Sequence, residues 1–236
     1  MPIFTSKKVV LNWHQDDISF STVLMESFVD GVEKQAEESI TDYETTKQIE
    51  VVEENYAREV HQGLDGDTYH LPTIFLEYFP SLQRRSALLT VCSYFEHELD
   101  KLCRLYQSEK GFAVTVGDLR GEGIDRSTRY LKKVVGLNLH YASQEWQEIK
   151  NIQQIRNAIV HRGGKVPDKD TVRDGADKAI VDFMNKTESL SRDDDGEIVV
   201  GKGFLSHVIH TYATYSKLIG DSIKASEGLS KSSGLS

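Results

Sequence analysis

The sequence predicts an all-α fold: a helical bundle with a long N-terminal helical extension and one small β-hairpin near the C-terminus. Three observations predict it. Apolar residues recur at steps of three and four over most of the 236 residues. The only four prolines, at 2, 72, 80 and 167, each fall at the boundary of a helical pattern. The period changes at one place, around Asp195-Gly196, where short apolar runs flank a turn signal. Apolar residues make up 39% and charged residues 28%, the balance of an ordinary soluble chain, and the length suffices for a sizeable core. No window approaches the ~20 apolar residues of a membrane span. The opening "MPIFTSKKVVLNWHQDD" has an apolar run too short for a signal peptide. A cytoplasmic protein without membrane partners is expected.

The elements follow in order. Val23, Leu24, Phe28, Val32, Ala36, Ile40 and Tyr43, then Ile49, Val52, Tyr56 and Val60, continue at helical spacing from about Phe20 to Val60. They predict one long helix or two joined end to end. Residues 1–63 carry 13 Asp and Glu against five Lys and Arg, so nearly all of the net charge of −9 lies in this arm. Its acidic side, Glu33, Glu37, Glu38 and Glu44, reads as a solvated face. "GLDGDTYHLP" (63–72) is a loop. From Ser81 to Lys110, Leu88, Val91, Cys92, Phe95, Leu99, Leu102, Cys103 and Tyr106 form an unbroken apolar stripe, the most buried helix. Cys92 and Cys103 are the only cysteines; eleven residues apart on one helix, they share a face without being able to bridge. Both read as small core residues in a reducing compartment.

"DLRGEGI" (118–124) is a turn, lacking the lysine and following helix of a phosphate loop. "DRSTRYLKKVVGL" (125–137) is a short basic helix, Glu145–His161 a longer one, and Thr171–Asn185 a weaker one. The hairpin around Asp195-Gly196 leads into a last helix over Gly203–Ala225. Three regions result: an acidic extension over 1–78 packing on the bundle, a helical domain over 79–225, and a flexible Ser/Gly-rich tail over 226–236.

The helix "IKNIQQIRNAIVHRGGKV" (149–166) carries chemistry. At about 100° per residue, with Ile152 at zero, Ile149, Ile155 and Ile159 define a buried stripe, and Arg156 falls within it. Asn157 and His161 fall on the opposite side, with Gln153 and Gln154. A guanidinium at a core edge needs an acidic or phosphate partner, because an unpaired buried charge is costly. Glu96 and Glu98 of "CSYFEHELD" are protein candidates. Arg156, His161, Arg162 and Lys165 gather positive charge at one helix end, and Arg126, Arg129, Lys132 and Lys133 add a basic run just before it. Read alone, His161 is a cation favoured by the helix C-terminus and Asn157 a surface amide.

"RNAIVH" (156–161) resembles the R-N-x-x-x-H form of the Arg-x4-6-His motif of the HEPN superfamily (higher eukaryote and prokaryote nucleotide-binding domains). The helix "RSALLTVCSYFEHELDKLCRLY" before it and the Trp/Ile pattern of the helix carrying it agree, over roughly residues 80–225. The resemblance implies a four- to five-helix bundle, often a homodimer. It implies a metal-independent endoribonuclease without cofactor, serving as a toxin or antiviral defence component, with a cognate antitoxin or defence partner. Arg156 and His161 would be the catalytic pair, Asn157 the polar residue beside them and Glu96 a supporting acid from a facing helix. Some toxins of this superfamily extend the motif to His-x-Tyr, the target of nucleotidylation by an antitoxin; here Gly163 takes that place.

RNA carries its own nucleophile, the ribose 2′-OH. His161 has the free pKa nearest neutrality and suits proton transfer. Arg156 suits the developing phosphorane charge, and Asn157 would orient the phosphate or the imidazole. Arg162, Lys165, Arg129, Lys132 and Lys133 would contact the RNA backbone. The products would be a 2′,3′-cyclic phosphate and a 5′-hydroxyl. Because Arg156 and His161 lie about 140° apart on the helix, a two-fold pairing of the 149–163 helices is expected, each copy completing one cleft. A non-catalytic HEPN-like module binding nucleotide, RNA or protein is the alternative. His207 and His210 sit i,i+3 without a third ligand at convincing spacing, so no metal site is expected.

Overall fold

The long apolar pattern of the N-terminal arm is only half a helix. In the structure, a computed structural model, α1 (Ser19–Thr46) ends where the sequence turns to Gln48-Ile49-Glu50-Val51-Val52-Glu53. There β1 (Gln48–Glu53) pairs antiparallel with β2 (Tyr56–His61), and β2 with the short β3 (Leu64–Asp65). Residues 13, 18–168, 170, 172 and 175–232 are described, with the backbone alone at 227 and 229–232. Most of the opening segment, judged above for a signal peptide, and the last four residues lie outside them. The helix expected through Val60 is thus corrected to a three-stranded sheet. Ile49, Val52, Tyr56 and Val60 fit helical spacing, but Ile49 and Val51 also alternate, and a β-branched run favours the extended chain. The stripe on α1 is corrected too. Val29, Ala36 and Tyr43 are its buried line, seven residues apart, while Val23, Leu24 and Phe28 are exposed.

The remaining elements are α2 (Phe79–Lys110), entered through a π-helical turn over Thr73–Tyr78, and α3 (Gly123–Tyr130), continued by a π-helical turn over Leu131–Val135. Then come α4 (Gln144–Arg162), α5 (Gly175–Lys186), the hairpin of β4 (Leu190–Arg192) and β5 (Ile198–Val200), and α6 (Phe204–Ser232). The architecture is mostly helical with two small antiparallel sheets. The helix at the C-terminus runs on to Ser232, past the start of the Ser/Gly-rich tail. Among the described residues no helix is long and apolar enough to cross a membrane.

The chain divides into two compact units whose boundaries fall inside α1, α2, α4 and α6. One is drawn from the described parts of Met1–Glu26, Thr90–Gln153 and His207–Ser236. Its core holds Cys92, Leu99, Leu102, Cys103, Tyr130, Leu131, Ile149, Ile152, Val208, Tyr215 and Ile219. The Phe95 and Tyr212 rings stack at 4.0 Å, and the Tyr215 hydroxyl donates to the Leu139 carbonyl at 2.7 Å. Both cysteines are buried and neither is in a disulfide, as the spacing predicts. Burial, and after it Asp100, pushes the Cys103 thiol up to about 12.

The second unit is Ser27–Leu89 with Gln154–Ser206. Tyr43, Leu71 and Phe75 form a buried cluster there, flanked by Leu64, Ile74, Leu76 and Phe79. Tyr43 stacks on Phe75 at 5.1 Å and His61 meets Phe75 edge-on at 4.5 Å. Arg84, buried, donates from Nε (3.0 Å) and Nη2 (2.9 Å) to one Glu33 oxygen. An acidic residue that the pattern assigned to the solvated face of α1 is thereby held in an ion pair.

Candidate functional site

Helix α4 ends where the sequence asks it to. Gly163 and Gly164 take φ of 63° and 85°, left-handed values that favour glycine. The Gly164 amide donates back to the Ala158 carbonyl at 3.0 Å, closing the last turn. One glycine suffices to stop a helix; the second has another purpose. A Cβ built on Gly164 would fall 2.0 Å from Nη2 of Arg85, so the guanidinium lies directly against this backbone. Arg85 is buried, donates from Nη1 and Nη2 to Glu197 at 3.0 Å each, and reaches the Gly163 carbonyl at 3.3 Å. A buried cation therefore caps the negative end of the motif helix. Sequence reasoning missed Arg85; the signal that pointed to it was the glycine doublet.

The hairpin completes the clamp. Val166 donates to the Gly196 carbonyl and Ile198 to the Gly164 carbonyl, both at 2.9 Å, and Lys165 bridges antiparallel to Glu197. Val200 in turn donates to the Ser81 hydroxyl at 3.0 Å. The segment after His161 is thus tied to the hairpin by an isolated antiparallel bridge beside the start of β5.

On this fixed helix end Arg156 is half-buried, while Asn157 and His161 are exposed. Arg156 Nη1 donates to Asn157 Oδ1 at 3.0 Å. Its Nε is buried without a hydrogen-bond partner, and among the described residues Arg156 forms no ion pair. The expected carboxylate partner is replaced by the amide next in sequence. The His161 ring, one turn further on, makes no hydrogen bond among the described residues. Val160, 44% exposed, shares this outward face. Gln153, placed by the helical angle on the polar side, is instead buried against the Tyr212 phenol, and Ala158 is more buried than Ile159. The inward arc of α4 is wider than the isoleucines alone define.

Of the expected RNA-contacting cations, Arg162 is taken by Asp177 of α5 at 2.6 Å. Lys165 is exposed and its ammonium is free of ion pairs among the described residues. Glu96, Arg129, Lys132 and Lys133 belong to the other unit. There Arg129 donates to the Arg120 carbonyl at 2.6 Å, Lys132 lies 4.5 Å over the Tyr141 ring, and Lys133 is exposed. A Cβ on Gly123 would come within 3.0 Å of Glu96 Oε1, so this carboxylate sits at the first residue of α3, where the helix dipole favours negative charge. His207 lies 2.7 Å from Glu148, and no three His, Cys, Asp or Glu side chains among the described residues converge as a metal cluster. Compared with models of known families, with curated proteins and with solved structures, the chain matches none.

Proposed function

We propose that the chain is a metal-independent endoribonuclease of the HEPN type, acting as a toxin or defence component. The observation that carries the reading is the exposed His161 imidazole beside the Arg156–Asn157 pair, on a helix end clamped by Arg85 and the hairpin. A preorganised support of this kind suits catalysis, which depends on holding charged groups where charge develops. In the proposed reaction His161 takes the proton from the ribose 2′-OH. The oxygen attacks the adjacent phosphorus, and Arg156, oriented by Asn157, stabilises the phosphorane charge. The bond to the 5′-oxygen breaks, and that oxygen gains a proton to leave as a 5′-hydroxyl, with a 2′,3′-cyclic phosphate on the other fragment. Lys165 in the unit of this site, and separately Lys133 in the other unit, are exposed cations that would meet backbone phosphates without first breaking an ion pair.

Arg156 is half-buried and turns its Nη1 to Asn157 at the outer face, so two copies meeting through the Asn157–Val160–His161 faces would set the Arg156–Asn157 pair of one beside His161 of the other. Val160 supports this, being an apolar side chain left exposed in the middle of the face. The second reading, a non-catalytic RNA- or protein-binding module, is favoured by one observation: Arg156 already spends one donor on Asn157.

The test is incubation with RNA in EDTA, alongside Arg156→Ala and His161→Ala, with end-group analysis. Cyclic phosphate ends from the wild type, and at least ~100-fold slower cleavage by both variants, are expected. Binding without cleavage supports the second reading. Equal cleavage by wild type and variants removes these residues from the site.

A further inference from the structure

Glu98 of α2, a candidate acid for Arg156 in the sequence, belongs to the first unit and lines a cavity there, between α2, the first turns of α1 and α6. It is only 5% exposed. Its Oε1 accepts one long hydrogen bond, from the Ser21 hydroxyl at 3.4 Å, and its buried Oε2 has no hydrogen-bond partner. Among the described residues Glu98 forms no ion pair. A buried carboxylate in this position is costly, and a cation with N–H donors is what compensates it. The wall around it is mostly apolar, with Ile18, Val91, Phe95 and Ile209 all buried. Thr22, Met25 and Tyr94 line the cavity on its partly exposed side. The open space, mouth included, is about 330 Å³, at the lower end of the roughly 300–1,000 Å³ of small-molecule pockets.

We infer that this cavity binds a primary alkylammonium group, with Glu98 as its counter-ion. The hydrocarbon part packs on Ile18, Val91 and Ile209, and the N–H groups meet the Glu98 carboxylate. The buried hydroxyls of Ser21 and Ser216 line the same cavity and offer acceptors to the N–H groups that Glu98 leaves over. Phe95 and Tyr212, whose rings stack at 4.0 Å, line it as well, and aromatic walls favour a cation over a neutral head. This set of groups selects among cations. A quaternary ammonium has no N–H for the open Oε2. A guanidinium carries five donors in a rigid fork and would bury most of them against hydrocarbon. A divalent metal ion takes several oxygen ligands, and no three His, Cys, Asp or Glu side chains among the described residues converge to supply them. The inference does not rest on the ribonuclease reading.

The experiment is titration of the full chain with n-butylammonium, followed by calorimetry and by methyl nuclear magnetic resonance. Saturable binding is expected, with shifts of the Met25 and Ile209 methyl signals and none at Ile198 in the other unit. n-Butanol, neutral with the same chain, and tetramethylammonium, charged without N–H, are each expected to bind about tenfold more weakly or worse. Glu98→Gln keeps the side chain's size and removes its charge. It is expected to lose n-butylammonium affinity by about the same factor and to leave n-butanol unchanged. The alcohol comparison needs no variant and decides the matter even if Glu98→Gln fails to fold. Nα-acetyl-lysine methylamide carries the same ammonium on a peptide backbone. Binding as tight as that of n-butylammonium assigns the cavity to a protein's lysine side chain, and weaker binding assigns it to a free amine. The inference is overturned if n-butylammonium does not saturate or n-butanol binds as tightly. It is equally overturned if folded Glu98→Gln keeps the affinity, or if the methyl shifts fall outside the cavity.

Discussion

The two small sheets belong to the same unit and are both antiparallel, yet they do opposite things. In the C-terminal hairpin Leu190, Ile198 and Val200 are buried, and the strands are stitched to the end of α4 and to Ser81. In the N-terminal sheet β1 buries nothing. One β-element is a bracket for the candidate active site; the other is an edge held out to solvent. The difference teaches that a strand's role follows from what its alternating faces meet, since the local pairing is the same in both.

The comparison breaks most visibly in stability. Ile198→Ala removes a fully buried side chain from the bracket and is expected to cost about 2–4 kcal/mol. Val51→Ala on β1 is expected to stay within about 0.5 kcal/mol. Urea unfolding followed by circular dichroism measures both. Equal costs would mean that Val51 is not exposed in solution.

The bracket depends next on Arg85. Arg85→Ala leaves Glu197 partly buried without its cation and uncaps α4, an expected loss of about 2 kcal/mol after allowing for the partial exposure of Glu197. Gly164→Ala acts on the same contact from the other side. It forces a side chain into a left-handed φ of 85° and displaces the Arg85 guanidinium, for about 1–2 kcal/mol. Because the two substitutions remove one shared interaction, the double variant is expected to cost less than the sum of the singles. Full additivity in urea unfolding would show that the glycine does not make room for Arg85.

The smallest effect lies under the N-terminal sheet and is seen only in alkali. Burial, and after it the hydrogen bond donated to Glu59, pushes the Tyr43 phenol up to about 12 from an ordinary 10. The folded state then holds a proton that the unfolded chain has lost between those values. The contribution is complete below pH 10 and falls as pH rises towards 12. Ultraviolet titration of wild type and Tyr43→Phe checks this: the variant is expected to lose one tyrosine titrating near 12, and not one near 10.

The candidate site was legible to unequal depth. Helical period placed α4 within a residue of its observed ends, and the Arg, Asn and His spacing fixed their order on it, because both are properties of a single helix. Asp195-Gly196 announced the C-terminal hairpin through turn chemistry that acts over a few residues. The N-terminal sheet escaped because its apolar residues satisfy two periods at once, and nothing in one chain segment says which face will be buried. The carboxylate expected for Arg156 failed to appear for a related reason. Which polar group satisfies a guanidinium depends on what packing brings within 3 Å, and here that is the neighbouring Asn157.

By itself the sequence determined what is local: which segments wind into helices, where α4 stops, and that Arg156, Asn157 and His161 share its last turns. The tertiary structure decided what is distant in sequence. It laid Arg85 against Gly164, 79 residues away, and carried Glu197 and the hairpin to the same point. It turned Glu33 inward to Arg84 and left β1 exposed. Local conformation follows from dihedral preference and period, which each segment carries with it. Burial and charge pairing follow from which surfaces the folded chain brings into contact, and no segment carries that alone.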